Sequence, residues 1–255
     1  MRLTSPRSVG VPVKSFYSMD DIRLSIVHKE KDLCIIFDET LSFEEHINTK
    51  VNKANSLVGM IRRSFGYFDK VMFKQLFVTI VCPHLEYGAP VWNPSMKRLI
   101  NLLENVQRRA TKMIPQINKL PYEQRLRYLD LPTLQYRRYR GDMIEAYKLS
   151  HEYYDTSVSQ KVLTFQKRDA SGYNLRGHDL QIAKNHHKGD IRKNSFQCRV
   201  ARQWNVLPDW IVNAPSLNTF KNQLDKFWKN ENVMYSPNIN VQIRTSSMAS
   251  RFVKL

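Results

Sequence analysis

ENVQRRATKMIPQINKLPYEQRLRYLDLPTLQYRRYRGDMIEAYK, residues 104–148, decides the fold class. Immediately before it and into it, Leu99, Leu102, Leu103, Val106, Ala110, Met113 and Ile114 recur at three- and four-residue spacing, which makes one apolar helical stripe. Arg98, Asn101, Asn105, Arg108, Arg109 and Lys112 occupy the opposite face, and Pro115 ends the helix. Two more helices follow, opened by Pro121 and Pro132, and they carry Arg125, Arg127, Arg137, Arg138 and Arg140 among Tyr122, Tyr128, Tyr136 and Tyr139. Arginine forks bind phosphate in pairs of hydrogen bonds and tyrosine faces stack on bases, so the mixture suits a nucleic-acid backbone. The same pattern also fits solvated helix faces over a buried apolar side.

Outward from this stretch, Ser42 and Glu45 fit a capping box that opens a long helix. Phe43, Ile47, Val51, Ala54, Val58, Ile61 and Phe65 form its buried stripe, with Lys50, Lys53, Arg62 and Arg63 off it. Asp69 caps a second helix that is expected to end near Pro83. HLEYGAPVWNP, residues 84–94, reads as an aromatic connector in which Tyr87 and Trp92 pack. Toward the N-terminus, Ile22, Leu24 and Ile26 and then Leu33, Ile35 and Phe37 alternate about a charged turn at Lys29–Asp32, a β-hairpin pattern. Toward the C-terminus, Phe196, Val200 and Trp204 line one helix and Leu217, Phe220, Leu224 and Phe227 another, with Trp204 and Trp228 as packing anchors.

The fold class is therefore mainly α: a helical bundle with an N-terminal β-hairpin and a small C-terminal helical unit. The expected organisation is an irregular segment at 1–16, the hairpin at 17–41, a helical body at 42–152, a basic linker at 153–190, a helical unit at 191–228 and a mobile tail at 229–255.

The net charge is +17 over 255 residues. Charge of that size opposes compaction by self-repulsion and favours a polyanionic partner. The cations are scattered over many helices instead of flanking one apolar anchor, which argues against a membrane surface. No stretch reaches the ~20 apolar residues of a bilayer span. Three separated cysteines and an N-terminus without a signal-peptide core lead to the expectation of an intracellular chain, nuclear or cytoplasmic. Oligomeric state is not readable from the pattern.

Six segments in order resemble the downstream part of reverse transcriptases of jockey-type non-LTR retrotransposons. They are EKDLCIIFDETLSFEEHI (30–47), VCPHLEYGAPVWNP (81–94), LENVQRRATKMIP (103–115), the run from Leu120 to Lys148, RGHDL (176–180) and the run from Arg192 to Trp228. The resemblance implies an RNA-directed DNA polymerase. Its primer-cradling strand would correspond to KDLCIIFD, its duplex-clamping thumb to the helices after Phe43, and its C-terminal extension to the remainder. Cys34 stands where that family usually has glycine.

The polymerase aspartates that hold two metal ions would lie upstream of the hairpin, where this chain has about sixteen residues. YSMDD (17–21) has one residue too many for the family's catalytic turn, and Asp20 and Asp21 read as turn residues. No catalytic residue and no cofactor is assigned, magnesium being a requirement of the missing palm. Cys82 with His84, and His178 with His186 and His187, lack the four-ligand spacing of structural zinc, so no metal site is assigned. Asp209, Asp225, Lys221 and Lys226 make too thin a cluster for a nuclease.

The expected function is a grip on RNA or RNA–DNA duplex, inactive alone, through Arg62, Arg63, Arg108, Arg109, Lys112, Arg137, Arg138 and Arg140 converging on one trough. Six to ten phosphate contacts would weaken binding by ~10³–10⁵ between 50 and 200 mM salt. The alternative is a remnant or domesticated helical protein-interaction module with no nucleic-acid role.

Overall fold

The carboxylate of Asp38 turns the chain from strand to helix. It accepts hydrogen bonds from the backbone N–H groups of Thr40, Ser42 and Phe43 at 3.1, 3.0 and 2.7 Å and from the hydroxyls of Thr40 and Ser42. Burial works against its charge, but these donors outweigh it and hold the carboxyl below the usual carboxylate range. The expected capping box is replaced by this arrangement: Phe43 is the N-cap residue, with φ of 55°, and Ser42 Oγ accepts from Glu44 N.

The computed structural model describes residues 17–166, 177–184, 190–229 and 234–235. The architecture is mainly α. Two small antiparallel hairpins come first: β1 (Ser18–Met19) with β2 (Ile22–Arg23), and β3 (Lys29–Asp32) with β4 (Ile35–Asp38). The single hairpin expected to turn at Lys29–Asp32 is thus two. Their turns fall at Asp20–Asp21 and Leu33–Cys34, all four residues having positive φ. The aspartates tolerate that backbone through their short polar side chains. Cys34, at φ 64°, occupies a conformation that favours glycine.

The helical body follows. The N–H of Met72 caps α2 (Lys70–Leu76) on Asp69, as expected, after α1 (Glu44–Ser64). The helix does not stop at Pro83. A wide π turn at Phe77–Val81 leads into α3 (Cys82–Glu86), with Cys82 N bonded back to Phe77 O. Widening the ladder just upstream of Pro83 accommodates the amide that proline lacks. A short α4 (Ala89–Trp92) buries Trp92, whose indole N–H donates to Tyr87 O at 2.7 Å, while the Tyr87 ring stays half-exposed.

Next come α5 (Lys97–Ala110), a 3₁₀ turn (Thr111–Met113), α6 (Tyr122–Leu129) and α7 (Leu134–Ser150). Leu99, Leu103, Val106, Ala110 and Ile114 are buried together, as their spacing requires.

The segment expected to be a linker contributes structure. It holds α8 (Thr156–Val162) and a bridge between Phe165 and Ile182, and it buries Leu163, His178 and Ile182 in the second core. The C-terminal unit comprises α9 (Asp190–Lys193), α10 (Phe196–Trp204), α11 (Asp209–Val212) and α12 (Leu217–Lys229). Trp204 and Trp228 are buried in it, as expected. The expected irregular N-terminus, most of the tail and parts of the linker lie outside the described residues.

There are two cores. One runs from Ile35 through α1–α6 to Leu134; the other gathers α7, α10, α11 and α12 around Trp204 and Phe220. Helix α7 joins them, with Leu134 in the first and Tyr136, Met143 and Tyr147 in the second. Among the described residues, no helix is long and apolar enough to cross a membrane.

His46 pins the second hairpin to α1. Its Nδ1 accepts the Ile36 N–H at 3.2 Å, and its ring lies 5.3 Å from that of Trp92. Burial, with Lys50 adding to it, lowers its pKa to about 4. The unfolded chain binds that proton near pH 6.5, the folded chain only near 4, so this group removes stability progressively as pH falls through that window. Between pH 7 and 4.5, the wild type should lose about 1–2 kcal/mol more stability in urea titrations than His46→Gln. Parallel pH profiles for the two proteins would refute the pinning role.

Candidate nucleic-acid interface

Six of the eight cations expected to grip a polyanion separate into two sets. The set on α7 is engaged within the fold, Arg138 buried and Arg137 and Arg140 half-buried. Arg137 directs Nε and Nη2 to Glu86 of α3, the Nη2 bond being 2.9 Å. Burial opposes its charge, but the hydrogen bonds and attraction of Glu86 outweigh this and push its pKa up. Arg138 is 2% exposed and donates from Nε to Asn93 Oδ1 at 3.1 Å. Arg140 places its fork on Asp225 of α12 at 2.6 and 2.8 Å.

Each arginine thus reaches a different partner element, so the expected trough across α5 and α7 is not formed. Arg137, Arg138 and Arg140 are corrected from phosphate contacts to fasteners between elements of the fold. Arg108 is intermediate: its guanidinium lies 4.9 Å from the centre of the Tyr122 ring, and its buried Nε has no acceptor among the described residues.

The second set converges. The C-terminal ends of α1 and α5 lie together, and with the loops that leave them they enclose a cleft of about 680 Å³. Arg62 comes from the last turn of α1, Arg109 from the last turn of α5, and Lys112 from the 3₁₀ turn. Lys119, from the loop before α6, completes the cationic lining, and among the described residues no Asp or Glu lines the cleft. Arg63 is exposed on the same turn of α1 but does not line it.

Cations in the last turn of a helix are stabilised by its negative end, which accounts structurally for the positions of Arg62 and Arg109. That accounts for two of the four. Lys112 follows α5 in a separate turn and Lys119 belongs to no helix. Arg109 donates to Asn55 Oδ1 at 2.8 Å, a neutral acceptor that orients the fork without neutralising it. Phe65, Tyr67 and buried Phe68 supply an aromatic wall, and Gln116 Nε2 donates to Tyr67 Oη at 3.0 Å.

Sequence reasoning missed Lys119, Phe65 and Tyr67 as site residues. The available signal was that GYFD (66–69) and PQINK (115–119) are the loops leaving the two stripe-matched helices.

A larger cleft of about 1040 Å³ lies where the two cores meet, walled by Phe37, Phe43, Trp92, Leu99, Leu149 and Phe196. Its two carboxylates are engaged, Glu145 with Lys148 and Asp155 with the Ser157 N–H, so they present no free convergent charge.

The other sequence candidates are occupied elsewhere. Cys82 is buried in the first core, which pushes its thiol up to about 12. His178 Nε2 lies 3.0 Å from Trp204 O. Asp225 holds Arg140, and Asp209 Oδ1 accepts from Asn213. Among the described residues, no three His, Cys, Asp or Glu side chains are grouped to hold a metal. The cleft therefore offers anion binding through forks and point charges, with no nucleophile or general base in its lining.

No protein-family model and no solved structure matches the chain. An uncharacterized protein of Caenorhabditis elegans, B0403.1, is 30% identical over 142 residues, which are 54% of this chain and 71% of that protein.

The two sets of arginines should separate in stability measurements. Arg137→Gln leaves Glu86 half-buried and unpaired and should cost about 1–3 kcal/mol in chemical denaturation. Arg62→Gln should stay within about 0.5 kcal/mol. Equal effects would show that this division of the arginines is wrong.

Proposed function

We propose that this chain, which belongs to the same family as the C. elegans protein B0403.1, grips RNA or RNA–DNA duplex as the non-catalytic thumb and C-terminal part of a jockey-type reverse transcriptase. The observation that carries this reading is the cleft between the ends of α1 and α5: four cations from separate segments and, among the described residues, no carboxylate in the lining. The arginines of α7, by contrast, pair with carboxylates, as Arg137 and Arg140 do, or lie buried, as Arg138 does. A phosphate diester supplies the missing charge, and an arginine fork with lysine ammoniums suits its oxygens. The contacts are to the backbone, so they position a nucleic acid without reading its sequence.

A protein-interaction reading has its own support. Tyr17, Met19, Ile22, Ile26 and Leu33 of the two small hairpins are all at least 66% exposed. An apolar surface of that kind suits a protein partner better than a polyanion. That reading gives the chain no nucleic-acid role, so salt-dependent nucleic-acid binding through the cleft separates the two.

Four contacts set a smaller salt dependence than a full trough would. With Z near 4, log K against log[salt] should have a slope of about −3 to −4, a loss of roughly 10²-fold between 50 and 200 mM KCl. Fluorescence anisotropy with a labelled RNA–DNA duplex measures it. Arg109→Glu with Lys112→Glu should weaken binding at least tenfold and flatten the slope. A slope near zero in the wild type, or an unchanged double variant, would reject the grip. Primer extension with Mg²⁺ should yield no product from this chain alone.

A further inference from the structure

A duplex grip needs cations; it does not need exposed rings among them. The basic cleft has both. Phe65 and Tyr67 are 38% and 60% exposed on the loop that leaves α1, beside Arg62, Arg109, Lys112 and Lys119. Neither ring is loose. Phe65 packs edge-on against Phe68 at 6.1 Å, and Phe68 is 4% exposed, anchored in turn by Phe73. Tyr67 is tethered at its hydroxyl by Gln116, from the loop on the far side of the cleft. A ring fixed at both ends is pre-organised to receive a flat partner, which lowers the ordering cost on binding. Paired bases are stacked inside a duplex and offer no free face to such rings. An unpaired base does, and the stack is indifferent to its identity. At about 680 Å³ the cleft also falls within the 300–1,000 Å³ range of pockets that enclose a small organic group.

We propose that the cleft binds an unpaired segment of nucleic acid, with a phosphate among the four cations and the adjoining base against Tyr67 or Phe65. The ligand class is therefore single-stranded ends and overhangs in preference to blunt duplex. This rests on the nucleic-acid reading above and sharpens it.

The test compares dissociation constants, by anisotropy at one fixed salt concentration, for a blunt RNA–DNA duplex, the same duplex with a five-nucleotide overhang, and a single strand of equal length. The overhang should bind about 5- to 150-fold tighter than the blunt duplex, the range expected for stacking one base. Tyr67→Leu should weaken the overhanging duplex more than the blunt one and so shrink that ratio severalfold, and Phe65→Leu combined with it should abolish the ratio. Tyr67→Phe, which keeps the ring, should retain most of the preference. Arg109→Glu should weaken all three ligands.

Equal affinity for blunt and overhanging duplex, or a ratio indifferent to loss of both rings, overturns the stacking inference. If Arg109→Glu still weakens binding in that case, the phosphate grip survives it. If the wild type binds none of the three ligands, both readings fall. Unaltered urea unfolding of Tyr67→Leu separates lost stacking from lost structure.

Discussion

The carboxylate of Asp142, 1% exposed on α7, is the constraint on which the joint between the two cores depends. It accepts the fork of Arg199 from α10 at 2.8 and 3.0 Å and the side-chain amide of Asn93 at 3.0 Å. Arg199 also donates to Pro90 O, and Asn93 in turn accepts from Arg138, one helical turn before Asp142. One buried charge therefore ties α4, α7 and α10 together. Removing a single partner from a buried pair leaves an uncompensated charge, commonly a loss of ~3–5 kcal/mol, whereas apolar groups of the same shape could replace the whole set. A network of this kind specifies how pieces meet more than how tightly they hold. Hydrophobic burial alone would permit α7 to rotate between the cores; the paired polar groups fix its orientation.

That requirement explains why a helix so rich in arginine and tyrosine is interior. Glu104, buried on α5, accepts the Tyr122 hydroxyl at 2.5 Å and the Leu134 N–H at 3.1 Å, fixing the entry to α7. Burial raises its pKa, opposed by the Tyr122 hydrogen bond and by the nearby Arg138. Further along, Tyr147 stacks on Phe220 at 4.4 Å and donates to Ala214 O at 2.6 Å. Tyr136 meets Trp228 edge-on. The tyrosines thus pack through their rings and satisfy their hydroxyls within the protein, which is how large amphipathic side chains fill a core.

The apolar stripe of α5 was legible because its partners lie on one side. Leu99, Leu103, Val106 and Ala110 share a face, and the periodicity states it directly. The C-terminal pair was legible for the same reason, as was the capping of α2 by Asp69. Helix α7 was legible as a helix but its buried face was not, since it is covered on several sides and its buried positions include Gln135, Arg138 and Asp142 beside Leu134 and Met143. A cation paired with a carboxylate 51 or 85 residues away looks the same in a sequence as one facing water, and Arg137 and Arg140 are of that kind. The double hairpin was missed because alternation set the strand faces without revealing that Leu33 and Cys34, both nonpolar, adopt the turn conformation. In the candidate site, Arg62, Arg109 and Lys112 were readable as cations and unreadable as neighbours, because only helix packing brings the ends of α1 and α5 together.

The place where those ends meet differs electrostatically from the rest of the molecule. Two helix termini contribute partial negative charge within their last turns, which offsets part of the mutual repulsion of Arg62 and Arg109. That offset decays over about one turn and does not reach Lys119 in its loop. Crowding four cations into one lining is therefore unfavourable in the free protein, and the repulsion adds to that of a chain already at +17. Arg137, Arg140 and Arg199 show one arrangement this sequence uses to fasten one element to another: each forms a salt bridge with a carboxylate, while buried Arg138 is held by the neutral Asn93. Among the described residues, no carboxylate is paired with the cleft cations. A bound polyanion would relieve the repulsion and release its own condensed counterions at the same time. The contrast that supports the proposed grip is between arginines fastened within the fold and a cluster of four cations with no carboxylate among the described residues of its lining.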